Sequence, residues 1–144
     1  MTGGTSGTWT GQPYALLFAG TGVGPLQGMD LAPSTVSLTS TPTTSAVLLS
    51  APGFDATAVT LDNVRMLVNG ATDVAPIARG GVVVSSTRDW NGDGLPDRLF
   101  SFRTSDLAAA GLTTAAVPNT LILRDAVGPS PWQAGDAAPP AFVP

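Results

Sequence analysis

Asp89-Trp90-Asn91-Gly92-Asp93-Gly94-Leu95-Pro96-Asp97-Arg98-Leu99-Phe100-Ser101-Phe102-Arg103 is the stretch on which the reading of the fold turns. Counted from Asp89, oxygen-bearing side chains stand at positions 1, 3, 5 and 9, and Gly94 stands at position 6. Alternate residues of a tight loop aim their oxygens at one centre, and calcium, a hard cation, wants six to eight of them. Glycine permits the sharp bend that returns the chain to the same point. The expected metal ligands are therefore the side chains of Asp89, Asn91, Asp93 and Asp97, with the backbone carbonyl of Leu95. Beyond the loop, Phe100 and Phe102 alternate with Ser101 and Arg103. That period of two is a half-buried strand.

The strand exit sets the class. In a helix–loop–helix calcium sensor, position 12 is a bidentate Glu and a helix follows; here position 12 is Phe100 and a strand follows. Switching by helix opening is not expected, and the missing Glu implies modest affinity suited to extracellular calcium. The competing reading is an Asx-rich turn without an ion, since Asp, Asn and Gly favour turns for backbone reasons alone. Three Asp and one Asn crowd their oxygens together, and the carboxylates repel one another in an empty loop, which favours the ion.

Outward from the loop, other short apolar runs are punctuated by Gly, Pro, Asn and Asp. Tyr14–Ala19, Thr35–Thr39, Ala46–Ser50, Val64–Val68, Val82–Ser86, Leu99–Arg103 and Thr120–Arg124 read as strands. Asn69-Gly70 is a turn signal. Only Ser105–Ala110 reads as helix, one or two turns long, with Thr104 or Ser105 as its cap. About seven short strands predict an all-β, immunoglobulin-like β-sandwich; a small jelly roll or open barrel is the alternative. The expected organisation is a flexible Gly/Thr/Ser-rich N-terminal arm over residues 1–12 and a sandwich body over residues 13–126 that carries the calcium loop 89–97. A Pro-rich C-terminal arm, residues 127–144, follows.

Composition limits the chemistry. The 144 residues suit one domain with a single core. All 6 basic residues are Arg, all 10 acidic residues are Asp, and Lys, Glu, His and Cys are absent. General acid–base work would fall to Asp or Tyr14. A serine nucleophile has no His or Lys to activate it, so no enzyme is expected. Zinc has no His or Cys to bind, and neither a disulfide nor a Lys–Asn crosslink can form. A net charge of −4 without lysine excludes the basic footprint that nucleic acid requires. No run approaches the roughly 20 apolar residues of a membrane span. Met1–Gly11 has neither the basic nor the apolar region of a signal peptide, so either a signal has been removed or export by another route, such as cell lysis, is expected.

Other features have plainer readings. Gly20-Thr21-Gly22-Val23-Gly24 lacks the spacing and the following helix of a dinucleotide-binding turn. The stripes Val64/Met66/Val68 and Val82/Val84 read as core. Trp90, at loop position 2, points away from the ion and either lids the adjacent sheet or anchors an interface. Trp9 and Trp132, in the arms, either dock back onto the body or bind a neighbouring subunit.

Phe54-Asp55-Ala56-Thr57-Ala58-Val59, Asn63-Val64-Arg65, the loop Asp89–Asp97, and Ser101-Phe102-Arg103-Thr104-Ser105-Asp106-Leu107 together resemble a recurrent module of bacterial secreted and surface proteins. The resemblance covers about residues 44–125, and Arg98 stands where the module carries an apolar residue. It implies an immunoglobulin-like, calcium-binding domain without enzymatic activity. The function expected is a non-catalytic, calcium-stabilised assembly subunit of a larger particle or surface structure, of the virion-decoration or surface-fibre type. It would be extracellular or on a virion surface. Its partners would be copies of itself or another shell or fibre subunit, reached through Trp9 and Trp132. The alternative is an adhesion or carbohydrate-binding module of a secreted bacterial protein.

Overall fold

A computed structural model describes residues 26–114, 119–125 and 131–144. The strands are β1 Leu26–Ala32, β2 Thr35–Ser37, β3 Thr43–Leu48, β4 Val64–Val68, β5 Thr72–Val74, β6 Ala78–Arg79, β7 Val82–Val83, β8 Ser85–Arg88, β9 Asp97–Arg103, β10 Leu121–Asp125, β11 Gln133–Gly135 and β12 Ala141–Val143. Among the described residues, one short helix, α1, spans Thr104–Ala109, and two single 3-10 turns precede β4. The expected N-terminal arm, Trp9, the run Tyr14–Ala19 and the glycine-rich stretch from Gly20 to Gly24 lie outside the described residues.

The chain is all-β. Eight strands form one curled sheet in the order β5-β4-β10-β11-β1-β3-β9-β8. Strand β1 joins its halves. Leu26–Gly28 pair in parallel with β11, and Met29–Ala32 pair antiparallel with β3. Each half has one apolar face, and these faces close on a single core. One half contributes Val64, Met66, Val68, Leu121, Leu123 and Ala134; the other contributes Ala46, Leu48, Phe100 and Phe102. The alternation of β9 behaves as its residues require: Phe100 and Phe102 are fully buried, Ser101 is half-buried and Arg103 is exposed. The Asn69-Gly70 turn links β4 to β5 with φ of 51° and 68°, and Val68 O accepts from Ala71 N–H at 3.1 Å. Positive φ at both central residues is the geometry that matches strand twist, and Asn-Gly adopts it at least cost.

Several expectations are corrected. The helix begins one residue early, at Thr104, and no side chain caps it. The Thr104 hydroxyl instead shares a buried 2.8 Å hydrogen bond with that of Thr44, tying α1 to β3. The predicted strand Val82–Ser86 breaks at Val84. Its first part forms a two-stranded ribbon with β6, and its second part, β8, edges the main sheet. Val82 and Val84 are not core: they are 66% and 36% exposed, and it is Val83 that packs inward. A strand shows alternate residues to opposite faces, so the parity here is reversed from the stripe reading.

The largest correction concerns the tail. Residues 131–144 are not a free arm. Strand β11 is inserted between β10 and β1, and β12 pairs in parallel with β2. Trp132 is 7% exposed, and its ring lies 5.8 Å from that of Phe54 at 60°. It docks back onto the body. Gln133-Ala134-Gly135 carries no periodic apolar signal; its place is set by backbone pairing to strands far away in sequence. Truncating a buried Trp leaves a large cavity, so Trp132→Ala is expected to destabilise the fold by about 3–5 kcal/mol in urea unfolding. Exposed Val82→Ala, measured alongside, is expected to cost under about 0.5 kcal/mol.

Candidate functional site

The acidic loop is built on its last residue. Asp97 opens β9 and is fully buried. Its Oδ1 accepts from the backbone N–H of Ser50 at 2.9 Å, and its Oδ2 accepts from that of Trp90 at 2.9 Å. A buried carboxylate is tolerable only when hydrogen-bonded, and amides to an ionised acceptor give the stronger class of bond. Ser50 extends the lock: its hydroxyl donates to Pro96 O at 2.6 Å and accepts from Ala56 N–H at 2.8 Å. Asp97 therefore closes the loop on itself and pins it to the segment after β3.

The exposed part of the loop is held by its own side chains. Asp89 Oδ1 accepts from the N–H groups of Gly92 at 2.8 Å and Asp93 at 3.2 Å, and its Oδ2 accepts from Gly94 N–H at 2.8 Å. Asn91 Oδ1 accepts from Asp93 N–H at 3.3 Å, and Asp93 Oδ1 from Leu95 N–H at 2.9 Å. Gly92 and Gly94 take φ of 74° and 88°, the left-handed region that glycine enters without strain. Trp90 is half-buried, and the Arg88 guanidinium stacks over its ring at 5.0 Å. That is a cation–π contact on the loop's flank.

Oxygen donors alone line the loop, and their chemistry suits calcium rather than a softer metal. The positions are another matter. Among the described residues, no group of three or more acidic side chains is arranged to hold a metal ion. The structure brings Asp89, Asn91, Asp93 and Leu95 into one turn by Asx hydrogen bonds, and it commits both oxygens of Asp97 to backbone amides. As it stands, the arrangement is that of a self-capped turn.

Arg98 has a role that the sequence alone did not reveal. Its guanidinium donates to Ala56 O at 3.3 Å, Thr57 O at 2.9 Å and the Ser85 hydroxyl at 2.5 Å. It ties β9 to the 3-10 turn Ala56–Ala58 and to the edge strand β8. Asp55 caps that turn, accepting from Thr57 Oγ1 at 2.6 Å and Thr57 N–H at 2.9 Å. These bonds, helped by the nearby Arg98 charge, hold the Asp55 carboxyl below its ordinary range. The planar fork of Arg satisfies two carbonyls and a hydroxyl at once. A signal was present in the sequence only as an unexplained Arg.

Beside the turn, Phe54, Trp132, Asp55, Asp125, Gln27 and Pro131 line a groove of about 490 Å³. It combines an aromatic pair with two carboxylates. Comparison with protein-family models, with curated proteins and with solved structures finds no match to this chain.

Asp97→Asn places an amide NH₂ against one of two backbone donors and leaves that donor unpaired in a buried site. It is expected to lower stability by about 1–3 kcal/mol in urea unfolding. Asn91→Ala, in the exposed part of the loop, is expected to cost less than half as much.

Proposed function

We propose that this chain is a non-catalytic structural subunit, a stiff β-body that takes part in a larger particle or surface structure. The observation that carries the reading is the use made of its acids. Asp97 is buried on two amides, Asp89 and Asp93 hold the turn, Asp55 caps another turn, and Asp73 pairs with Arg124 at 2.7 Å. In a chain without His, Cys, Lys or Glu, these carboxylates were the main candidates for acid–base chemistry. Their engagement with backbone and arginine supports mechanical rather than chemical work. The curled sheet, with its two halves closed on one core, supports an immunoglobulin-like sandwich as the finer description.

Within this reading the loop from Asp89 to Asp97 also takes calcium, a second staple on a turn that is already self-capped. A carboxylate oxygen that accepts one amide can still coordinate a cation, which is how Asx-turn oxygens serve in calcium loops. Partners are further copies of the chain or another shell or fibre subunit, with Trp9 as the remaining aromatic anchor. The setting is extracellular or on a virion surface. The groove beside Phe54 and Trp132 supports the second reading, a carbohydrate-binding or adhesion module, because aromatic faces and carboxylates together suit a sugar's apolar face and hydroxyls.

Size-exclusion chromatography with light scattering separates the two: assembly predicts concentration-dependent oligomers, and a strict monomer that binds glycans favours the second reading. Calcium at millimolar concentration is expected to raise the melting temperature by several degrees over EDTA, and Asp93→Ala to abolish that shift. Identical melting in both conditions removes calcium and leaves the turn standing on its hydrogen bonds.

A further inference from the structure

Residues 82–88 form an open border of the sheet. Strand β8 ends the order of the main sheet and pairs with β9, while β7, just before it, pairs with β6. Both partners lie on the same flank. Ile77, just before β6, donates to Ser101 O on β9 at 2.7 Å and accepts from Val84 N–H at 2.9 Å, so β6 continues the flank that β9 begins. Among the described residues, no strand pairs with the other flank. Backbone groups of a strand point to its two sides alternately. Ser101 O faces the β8 side, and Leu99 and Asp97, which share its parity, stand in register with Ser86 and Arg88. The even residues of the segment therefore bond inwards. Val83, Ser85 and Thr87 turn their N–H and C=O groups outwards, along the free border.

Edges of this kind are ordinarily blunted by proline, by charge or by a cover, because their unpaired groups accept another strand. From Gly80 to Thr87 there is neither proline nor charge. Val82 and Val84 are the large apolar side chains left exposed among the described residues, and they share one face of the segment while Val83 packs inward. The two ends of the border carry opposite charge. At one end, the Gly80-Gly81 turn, with φ of 59° and 81°, presents the exposed Arg79, which has no carboxylate partner among the described residues. At the other end, exposed Asp89 and Asp93 accept from backbone amides, and Arg88 beside them lays its guanidinium over Trp90.

We propose that this border pairs with the same border of a second copy, antiparallel, about a two-fold axis at Val84. The proposal rests on the assembly reading and deepens it by naming the surface and the partner. A row of free N–H and C=O groups fits an extended strand. Charge selects this chain as the donor of that strand: antiparallel pairing reverses one border against the other, so the Arg79 end of each copy meets the acidic end of the other. The valines select the register. With Val84 opposite Val84 of the second copy, Val83 lies opposite Ser85 and Val82 opposite Ser86. The outward groups of Val83 and Ser85 then form a hydrogen-bonded pair. Val84 falls in a non-hydrogen-bonded pair, whose Cα atoms stand about 4.5 Å apart with their side chains in contact. The exposed valines of both copies become one patch, covered at its ends by the Arg88 stems. Because each copy uses the same surface, the association closes at two.

The chain contains no cysteine, which makes disulfide trapping in the full-length protein clean. Under oxidation by diamide, Val84→Cys is expected to form linked dimers roughly a hundredfold faster than Ala109→Cys, exposed at the end of α1. Ser86→Cys alone is expected to match that control, because the register sets its two copies about 13 Å apart. Mixing Ser86→Cys with Val82→Cys is expected to restore fast crosslinking. Arg79→Asp is expected to weaken association about tenfold at low salt. Val84→Lys, which sets two like charges opposite each other at an exposed position, is expected to leave a folded monomer. Equal rates for Val84→Cys and Ala109→Cys overturn the proposal, as does fast crosslinking of Ser86→Cys alone, which moves the axis. Light scattering separates this surface from the assembly reading. Oligomers that survive Val84→Lys overturn the edge pairing and leave that reading standing, whereas a chain monomeric at every concentration removes both.

Discussion

Strand β1 changes partners midway, and the closure of the core depends on that change. Its first three residues pair with β11 and its last four with β3, so one continuous backbone belongs to both halves of the sheet. A strand that serves two half-sheets forces them to curl toward each other, because each must keep its ladder with the same chain. Gly28 sits at the changeover, where Leu49 crosses close above it. The apolar faces of β3 and β9 on one side, and of β4 and β10 on the other, then have only each other to bury against. Strand β11 is equally necessary. Without it, the first half of β1 has no ladder, and Trp132 and Ala134 leave the core.

The acidic loop is stabilised from beneath by the same architecture. Asp97 stands at the first position of β9, the strand that pairs with both β3 and β8, and its carboxylate reaches Ser50 just past the end of β3. The loop's geometry is thus anchored in the sheet. Arg98, next in sequence, fastens the opposite direction, onto the turn Ala56–Ala58 and the edge strand. Two consecutive charged residues with opposite sign hold three separate segments without pairing with one another. Both side chains are committed mainly to backbone groups.

Legibility from the sequence followed the range of the interactions. Val64–Val68 is a strand with the bounds its pattern predicts, and the Asn69-Gly70 turn takes the φ values its residue types favour, because both depend on near neighbours. The alternation around Phe100 and Phe102 was equally readable. Strand β1 was not, because Leu26-Gln27-Gly28-Met29-Asp30-Leu31-Ala32 shifts partners and so serves two environments within seven residues. Val82 and Val84 misled because an apolar stripe shows which residues share a face but not which face is inward. Among the loop residues, the Asx side chains were recognised, while the burial of Asp97 and the reach of Arg98 were invisible until distant segments came together.

By itself the sequence determined the all-β class of the fold, the Asn69-Gly70 turn, and a set of side chains without Lys, Glu, His or Cys. These follow from local backbone preference, side-chain alternation and the functional groups that the chain contains or lacks. The tertiary structure alone decided that the proline-rich tail is woven into the sheet, that Trp132 is core, and that Asp97 is the buried fastener of the loop. Those outcomes rest on hydrogen bonds and packing between residues tens of positions apart, such as Asp97 with Ser50 and β11 with β1. No local pattern encodes a partner of that kind, because the pairing exists only once the chain has closed around its core.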